Sequence, residues 1–365
     1  MKTSNDKNQI IDIWDSHFHV WDISENTTSG HDAEQLFPPK DNPVYSMDSY
    51  SRDINEAGSS FRHTGGAFCE ALSACHVGME GEEFLSECIA ETRYASKELN
   101  ASSTNNIIIS TAPLEDDNIG NILANLAEDP LVRGIRQILN FEPAWPRNKQ
   151  QGDLLVNPKW QRGYSELKNF SMTWDLQINP NQFHDAARVI EKNPETPVII
   201  GHLGTPTLND ITEKKDDYWN GLKALSELDN VFMKISMLAY TDPEWDANPF
   251  IKDTVLQVID LFGVERCQFA SNLPVENLWG WDAKRIFSGF LGIVENQFSY
   301  EDQQKLFADN ARKLKKEVEK TFCETVLVKI NAFEMMNILD TIDEIVSDEI
   351  TKSNYSLTTM DFAVG

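Results

Sequence analysis

From Ile10 onward, brief apolar runs rich in Val, Ile and Phe take turns with longer amphipathic stretches. A strand covered by helices on its outer face reads as a short continuous apolar run, and each parallel neighbour requires a crossover helix. Eight such runs predict strands at Ile10–Trp14, Gly66–Phe68, Ile107–Ser110, Gly134–Leu139, Thr173–Ile178, Val198–Ile200, Val231–Ile235 and Cys267–Ala270. Helical patterns between them include Gly81–Leu99, Ile119–Ala127, Asn181–Lys192, Asp217–Leu228 and Ile251–Phe262. Eight strand–helix units over about 300 residues fill the length of one barrel. The expected class is therefore α/β, a (β/α)8 TIM barrel over residues 8–316.

Two irregular stretches interrupt the alternation. Residues 22–65 are long, polar and Pro-bearing, and loops of that length in compact domains are usually lids or binding loops. Residues 140–154, with Pro143 and Pro146, follow the fourth run and would crowd the same mouth. After Leu314 the barrel pattern ends, but Val318, Phe322, Val326, Ile330, Phe333, Ile342, Ile345 and Ile350 recur at helical spacing. A C-terminal helical extension with a polar end is expected over residues 317–365. Its apolar stripe would pack on the barrel or, alternatively, form a homodimer.

The chain has 365 residues and a formal charge of −26, a field that repels polyphosphate and anionic lipid. Nucleic acid and membrane are thus not expected as partners; a small-molecule substrate is. The opening MKTSNDKNQIIDIW lacks the apolar stretch of a signal peptide, and no window approaches the roughly 18 apolar residues of a membrane span. Cys69, Cys75, Cys88, Cys267 and Cys323 form no CxxC pair and suit reduced, mostly structural thiols. A cytoplasmic protein is expected.

The strongest chemical signal is Asp15-Ser16-His17-Phe18-His19, directly after the first run. Residues i and i+2 of a strand share a side, so His17 and His19 would both project into the barrel mouth, where catalytic groups of such barrels sit. Paired neutral imidazoles can bind a metal, pass a proton or polarise a carbonyl, although two histidines in a loop need do none of these. A second signal is Val198-Ile199-Ile200-Gly201-His202, which puts a histidine at the end of the sixth run. The third is the eighth run continuing into Ser271-Asn272-Leu273-Pro274.

DSHFHVWD, GIRQIL, WDLQI, IIGHLG, FMKIS and FASNLPVE, in that order, resemble the amidohydrolase-related family. The branch most resembled is that of the lactonases, which include sugar-acid lactonases and 2-pyrone-4,6-dicarboxylate lactonase. FCEA around Glu70, Glu91-Thr92-Arg93 and the closing FADNARKL extend the match from about Ile10 to Leu314. The resemblance implies His17, His19, His202 and Asn272 as catalytic positions. It implies Arg136, Gln177 and Glu70 as substrate-binding ones, the bland alternative being an Arg136–Glu70 ion pair.

Two positions depart from the metal-dependent pattern: Gln177 stands where relatives carry histidine, and Asn272 where they carry aspartate. A neutral amide is a poor zinc ligand and no general base. The expectation is an enzyme without a cofactor, with a divalent metal such as zinc on His17 and His19 as the alternative. The implied activity is opening of a small lactone by water, with Glu276 or a histidine receiving the proton. Decarboxylation of a small unsaturated or aromatic acid, or a silent barrel used for binding, are the competing readings. Trp279 and Trp281 would be either packing or a sugar-stacking face.

Overall fold

The computed structural model describes residues 9–22, 43–71, 81–143 and 152–314. Eight parallel strands follow one another in chain order around a single sheet. They are β1 (Ile11–Phe18), β2 (Phe61–Cys69), β3 (Asn105–Ser110), β4 (Val132–Ile138), β5 (Thr173–Gln177), β6 (Val198–Ile200), β7 (Val231–Ile235) and β8 (Cys267–Phe269). Each is followed by a helix on the outside: α1 (Met47–Asn55), α2 (Gly81–Ala101), α3 (Ile119–Leu126), α4 (Pro158–Glu166), α5 (Phe183–Glu191), α6 (Lys215–Ser226), α7 (Pro249–Phe262) and α8 (Ala283–Val294). This is the expected TIM barrel. Strand β6 is wholly buried, as its unbroken Val-Ile-Ile run requires. The helices turn one stripe inward; α5, for example, buries Phe183, Ala186, Val189 and Ile190 at helical spacing.

Three of the differences from expectation bear on the site. β1 runs four residues past Trp14, so His17 lies inside the strand. β2 begins at Phe61 because Arg62 and His63 are polar yet pair with Asp12 and Ile13 of β1. Its glycines permit close approach: a Cβ on Gly65 would stand 2.1 Å from the Asn105 carbonyl oxygen. Most consequentially, residues 22–65 are not one loop. Val44–Tyr45 pairs antiparallel with Trp21–Asp22, and Ser46 then caps α1 by accepting from the Ser49 N–H. Met47, Tyr50 and Ile54 are the buried stripe of α1, thinly spaced among polar residues that hid it.

The last described turns close the base of the barrel. Asn310 donates to the carbonyls of Val264 and Cys267, and Arg312 pairs with Asp12 at the start of β1. The extension expected at residues 317–365, and the cores of the two irregular stretches (23–42 and 144–151), lie outside the described residues. No helix among the described residues is long and apolar enough to cross a membrane.

Candidate active site

β1 and the chain after β8 complete the barrel at its mouth, and the residues that do so are those of the site. The Asn272 N–H donates to the His17 carbonyl, and the His19 N–H to that of Leu273, both at 2.8 Å. The motif's aspartate is part of this seam. Asp15 accepts from the Ser271 N–H at 2.8 Å, from its hydroxyl, and from the Tyr50 hydroxyl at 2.9 Å. Burial raises the Asp15 carboxyl above its usual range in spite of these bonds. Asn272 and His202 are both held in the left-handed backbone region, at φ 57° each, a conformation non-glycine residues adopt mainly where the surroundings impose it.

The three histidines gather in one buried group. His17 Nε2 lies 3.2 Å from His19 Nε2, and the His17 and His202 ring centres are 4.6 Å apart. Burial holds all three imidazoles neutral, assisted by Lys234 at His17 and by Arg136 at His202; His19 is brought down to about 3 by burial and Arg136. Their hydrogen positions follow from their partners. The Cys69 carbonyl, 2.8 Å from His19 Nδ1, can only accept, so that nitrogen carries the hydrogen. His19 Nε2 is then an acceptor, and His17 Nε2 is its donor. His17 Nδ1 is left bare and faces the Lys234 ammonium at 3.4 Å. His202 Nδ1 meets the Ser236 hydroxyl at 2.8 Å.

Lys234 on β7 and Asp175 on β5 were not anticipated from sequence. They form a buried ion pair at 2.6 Å inside the barrel, and the Lys234 Nζ also lies 3.9 Å from Cys69 Sγ. Burial alone would lower the Lys234 pKa, but the charge and hydrogen bond of Asp175 help carry it above the ordinary lysine value. Burial pushes the Cys69 thiol up to about 12. The signal for the pair was present: FMKIS and TWDLQ each place one charge, of opposite sign, inside an otherwise strand-like run.

Arg136, Gln177 and Glu70 come together, chiefly on one another. Arg136 donates through one terminal nitrogen to the Glu70 carboxylate and carbonyl, each at 2.8 Å, and through the other to Gln177. This is the ion pair foreseen as the alternative to a substrate contact. Asn272 donates to Glu276 Oε1 at 3.1 Å and also bonds His19. Glu276 does not point away from the site, as its distance in sequence suggested it could; it is buried, and that burial raises its carboxyl to about 7. Trp281 is no stacking face, since it is buried and stacked on Trp245.

For a metal, His17, Cys69 and Asp175 offer donor atoms within 4.8 Å of one another, all buried. Two histidines also suit a ligand role, because His19 and His202 each anchor Nδ1 and present Nε2. Through Nε2, the nitrogen beside His19, His17 fits less well. A ligating imidazole normally gives its second N–H to an acceptor, and the Lys234 ammonium can only donate.

The family profile described as amidohydrolase matches residues 14–314. A Sinorhizobium fredii protein, y4mH, itself uncharacterised, is 25% identical over 82% of this chain and 97% of its own length. An L-fucono-1,5-lactonase of Burkholderia ambifaria is 24% identical over 52% of this chain and 62% of its own. Among solved structures, a Burkholderia multivorans amidohydrolase with bound zinc superposes with TM-score 0.64 at 17% identity, covering 84% of this chain and 98% of that one. A probable 2-pyrone-4,6-dicarboxylic acid hydrolase from Acinetobacter baumannii gives 0.60 at 16%, covering 83% and 98%. At such identities these structures speak for the fold.

The expectation of no cofactor is not supported by these findings. One neighbour carries zinc, and Cys69 and Asp175 are donors that a comparison confined to positions 177 and 272 overlooked. The barrel, its histidines at the ends of β1 and β6, and a profile match over most of the chain lead to one assignment: the chain belongs to the amidohydrolase family.

Proposed function

We propose that this enzyme is a hydrolase that opens a small lactone by adding water to the ester carbonyl, with Glu276 as the general base. The observation that carries this is the Asn272–Glu276 pair. Where relatives in this family place an aspartate, Asn272 cannot take a proton, but it holds a buried carboxylate whose pKa is about 7. A base with that pKa is half ionised at neutral pH, the condition in which proton transfer is most effective.

Water would be oriented by Asn272 and would lose its proton to Glu276 as its oxygen bonds to the carbonyl carbon. The carbonyl oxygen gains charge in that step. With Ser236 donating to Nδ1, His202 would present an Nε2–H to it. Collapse breaks the ring carbon–oxygen bond, and Glu276 returns its proton to the departing alkoxide, giving a hydroxy acid. Arg136, held by Glu70 and Gln177, would support the developing oxyanion through its charge. The fucono-lactonase and pyrone-dicarboxylate hydrolase relatives favour a polar lactone as substrate.

The test is acid release from a panel of sugar-acid and dicarboxylic lactones, run with and without chelator, for the wild type and Glu276→Gln. Hydrolysis that rises with pH through about 7 in the wild type, and loses that ionisation in the variant, is expected. Full activity in Glu276→Gln would remove the base. Carbon dioxide release from unsaturated or aromatic acids, with every lactone left intact, would replace hydrolysis by decarboxylation.

A further inference from the structure

A lysine ammonium carries three N–H groups and no acceptor. Lys234 is buried, and its Nζ meets three atoms: Asp175 Oδ1 at 2.6 Å, His17 Nδ1 at 3.4 Å and Cys69 Sγ at 3.9 Å. His17, Cys69 and Asp175 are also the three residues whose donor atoms cluster closely enough to share one metal ion. A carboxylate, an imidazole nitrogen and a sulfur converging on one point form a mixed ligand set of the kind that binds zinc and its neighbours. In this protein a side-chain cation already stands among them.

We propose that the Lys234 ammonium is the resident cation of the His17–Cys69–Asp175 cluster, and that a divalent metal takes that position only when Lys234 is replaced. The cluster is thus a thiol-bearing metal site held closed by the chain's own charge. Three features agree on this. The charge of Asp175 is already matched by one positive charge at hydrogen-bond distance. The bare nitrogen of His17 faces that charge, as it would face a metal. An ion entering beside the ammonium would meet a like charge inside a buried site, where repulsion is poorly screened.

Cobalt(II) tests this without any activity measurement, so the outcome stands apart from lactone opening. Cobalt bound through Cys69 produces a thiolate-to-cobalt band in the near ultraviolet. The full-length wild type should show no such band, whereas Lys234→Gln should bind cobalt at one ion per cluster and show it. Binding in the variant should be about a hundredfold tighter or more, because the like charge is gone. Adding Cys69→Ser to Lys234→Gln should abolish the band. Glutamine keeps an N–H for Asp175, which makes this the variant best able to fold; Lys234→Met is the second. A folded Lys234 variant that takes up no cobalt through sulfur would overturn the proposal. So would a thiolate band in the wild type, an arm that depends on no variant at all.

Discussion

Charge fastens the base of this barrel and occupies its interior, on opposite terms. At the base Asp12 is shared by Arg62 and Arg312, whose side chains are 66% and 28% exposed. Inside the barrel the Lys234–Asp175 and Arg136–Glu70 pairs are at most 6% exposed. Two arginines on one carboxylate beside water make a redundant contact, screened by salt and easily rearranged. The buried pairs have no such reserve. Each neutralises a charge that solvent cannot reach, and the cations of the two pairs add to the burial that holds three imidazoles neutral. Electrostatics at the base fastens the closing helix; in the interior it joins burial in setting protonation states.

The contrast can be broken by substitution. The largest effect should come from Asp175→Ala, which strands the Lys234 ammonium. Losing one partner of a buried pair costs about 3–5 kcal/mol, read as a fall in the urea midpoint. A loss no greater than that of Asp12→Ala would erase the distinction between base and interior. Next, His202→Ala should lower kcat/KM by roughly two to three orders of magnitude with the circular dichroism unchanged, and an active variant would remove this residue from the chemistry. Glu276→Gln sharpens the comparison through pH. The folded carboxyl sits near 7, above its ordinary 4.5, so native protein holds the proton longer than unfolded chain. Stability from this group is therefore full below 4.5 and is lost as pH rises towards 7. The variant should lack that decline and gain about 3 kcal/mol over wild type in alkaline solution; parallel stability curves would contradict it.

The smallest effect belongs to the base. Burial pushes the Asp12 carboxyl up, but Arg312 and Arg62 together bring it below 3.8, so its contribution is present above that pH and disappears as acid protonates it. Asp12→Asn should cost about 1 kcal/mol or less, and less again in high salt. A cost near that of Asp175→Ala would mean that the closing helix hangs on this one carboxylate.

What could be read from the sequence divides along a similar line. β6 and β7 were placed to the residue, because Val198–Ile200 and Val231–Ile235 are the runs a doubly covered strand demands. α1 and the first half of β2 were missed because Met47, Tyr50 and Ile54 are few among polar neighbours, and Arg62 and His63 are polar residues within a strand. In the site, the histidines were legible from their place after apolar runs. Lys234 and Asp175 were not, since a charge within a strand acquires meaning only once its partner two strands away is known. Glu276 was visible only as an alternative, because four residues beyond a strand end gives no direction until the turn at Asn272 is seen.

The seam between β1 and the chain after β8 joins Asp15 to Ser271 across 256 residues of sequence. No ribosome-bound chain can make that contact before the eighth strand has been synthesised. Until then the His17–His19 segment has no Asn272 or Leu273 to hold its backbone. Contacts so distant carry a large loop-closure cost and are slow to form. The seam therefore makes the site a product of completed folding: chains that stop short of Leu273 could gain most of the barrel's helices and strands, but not its chemistry.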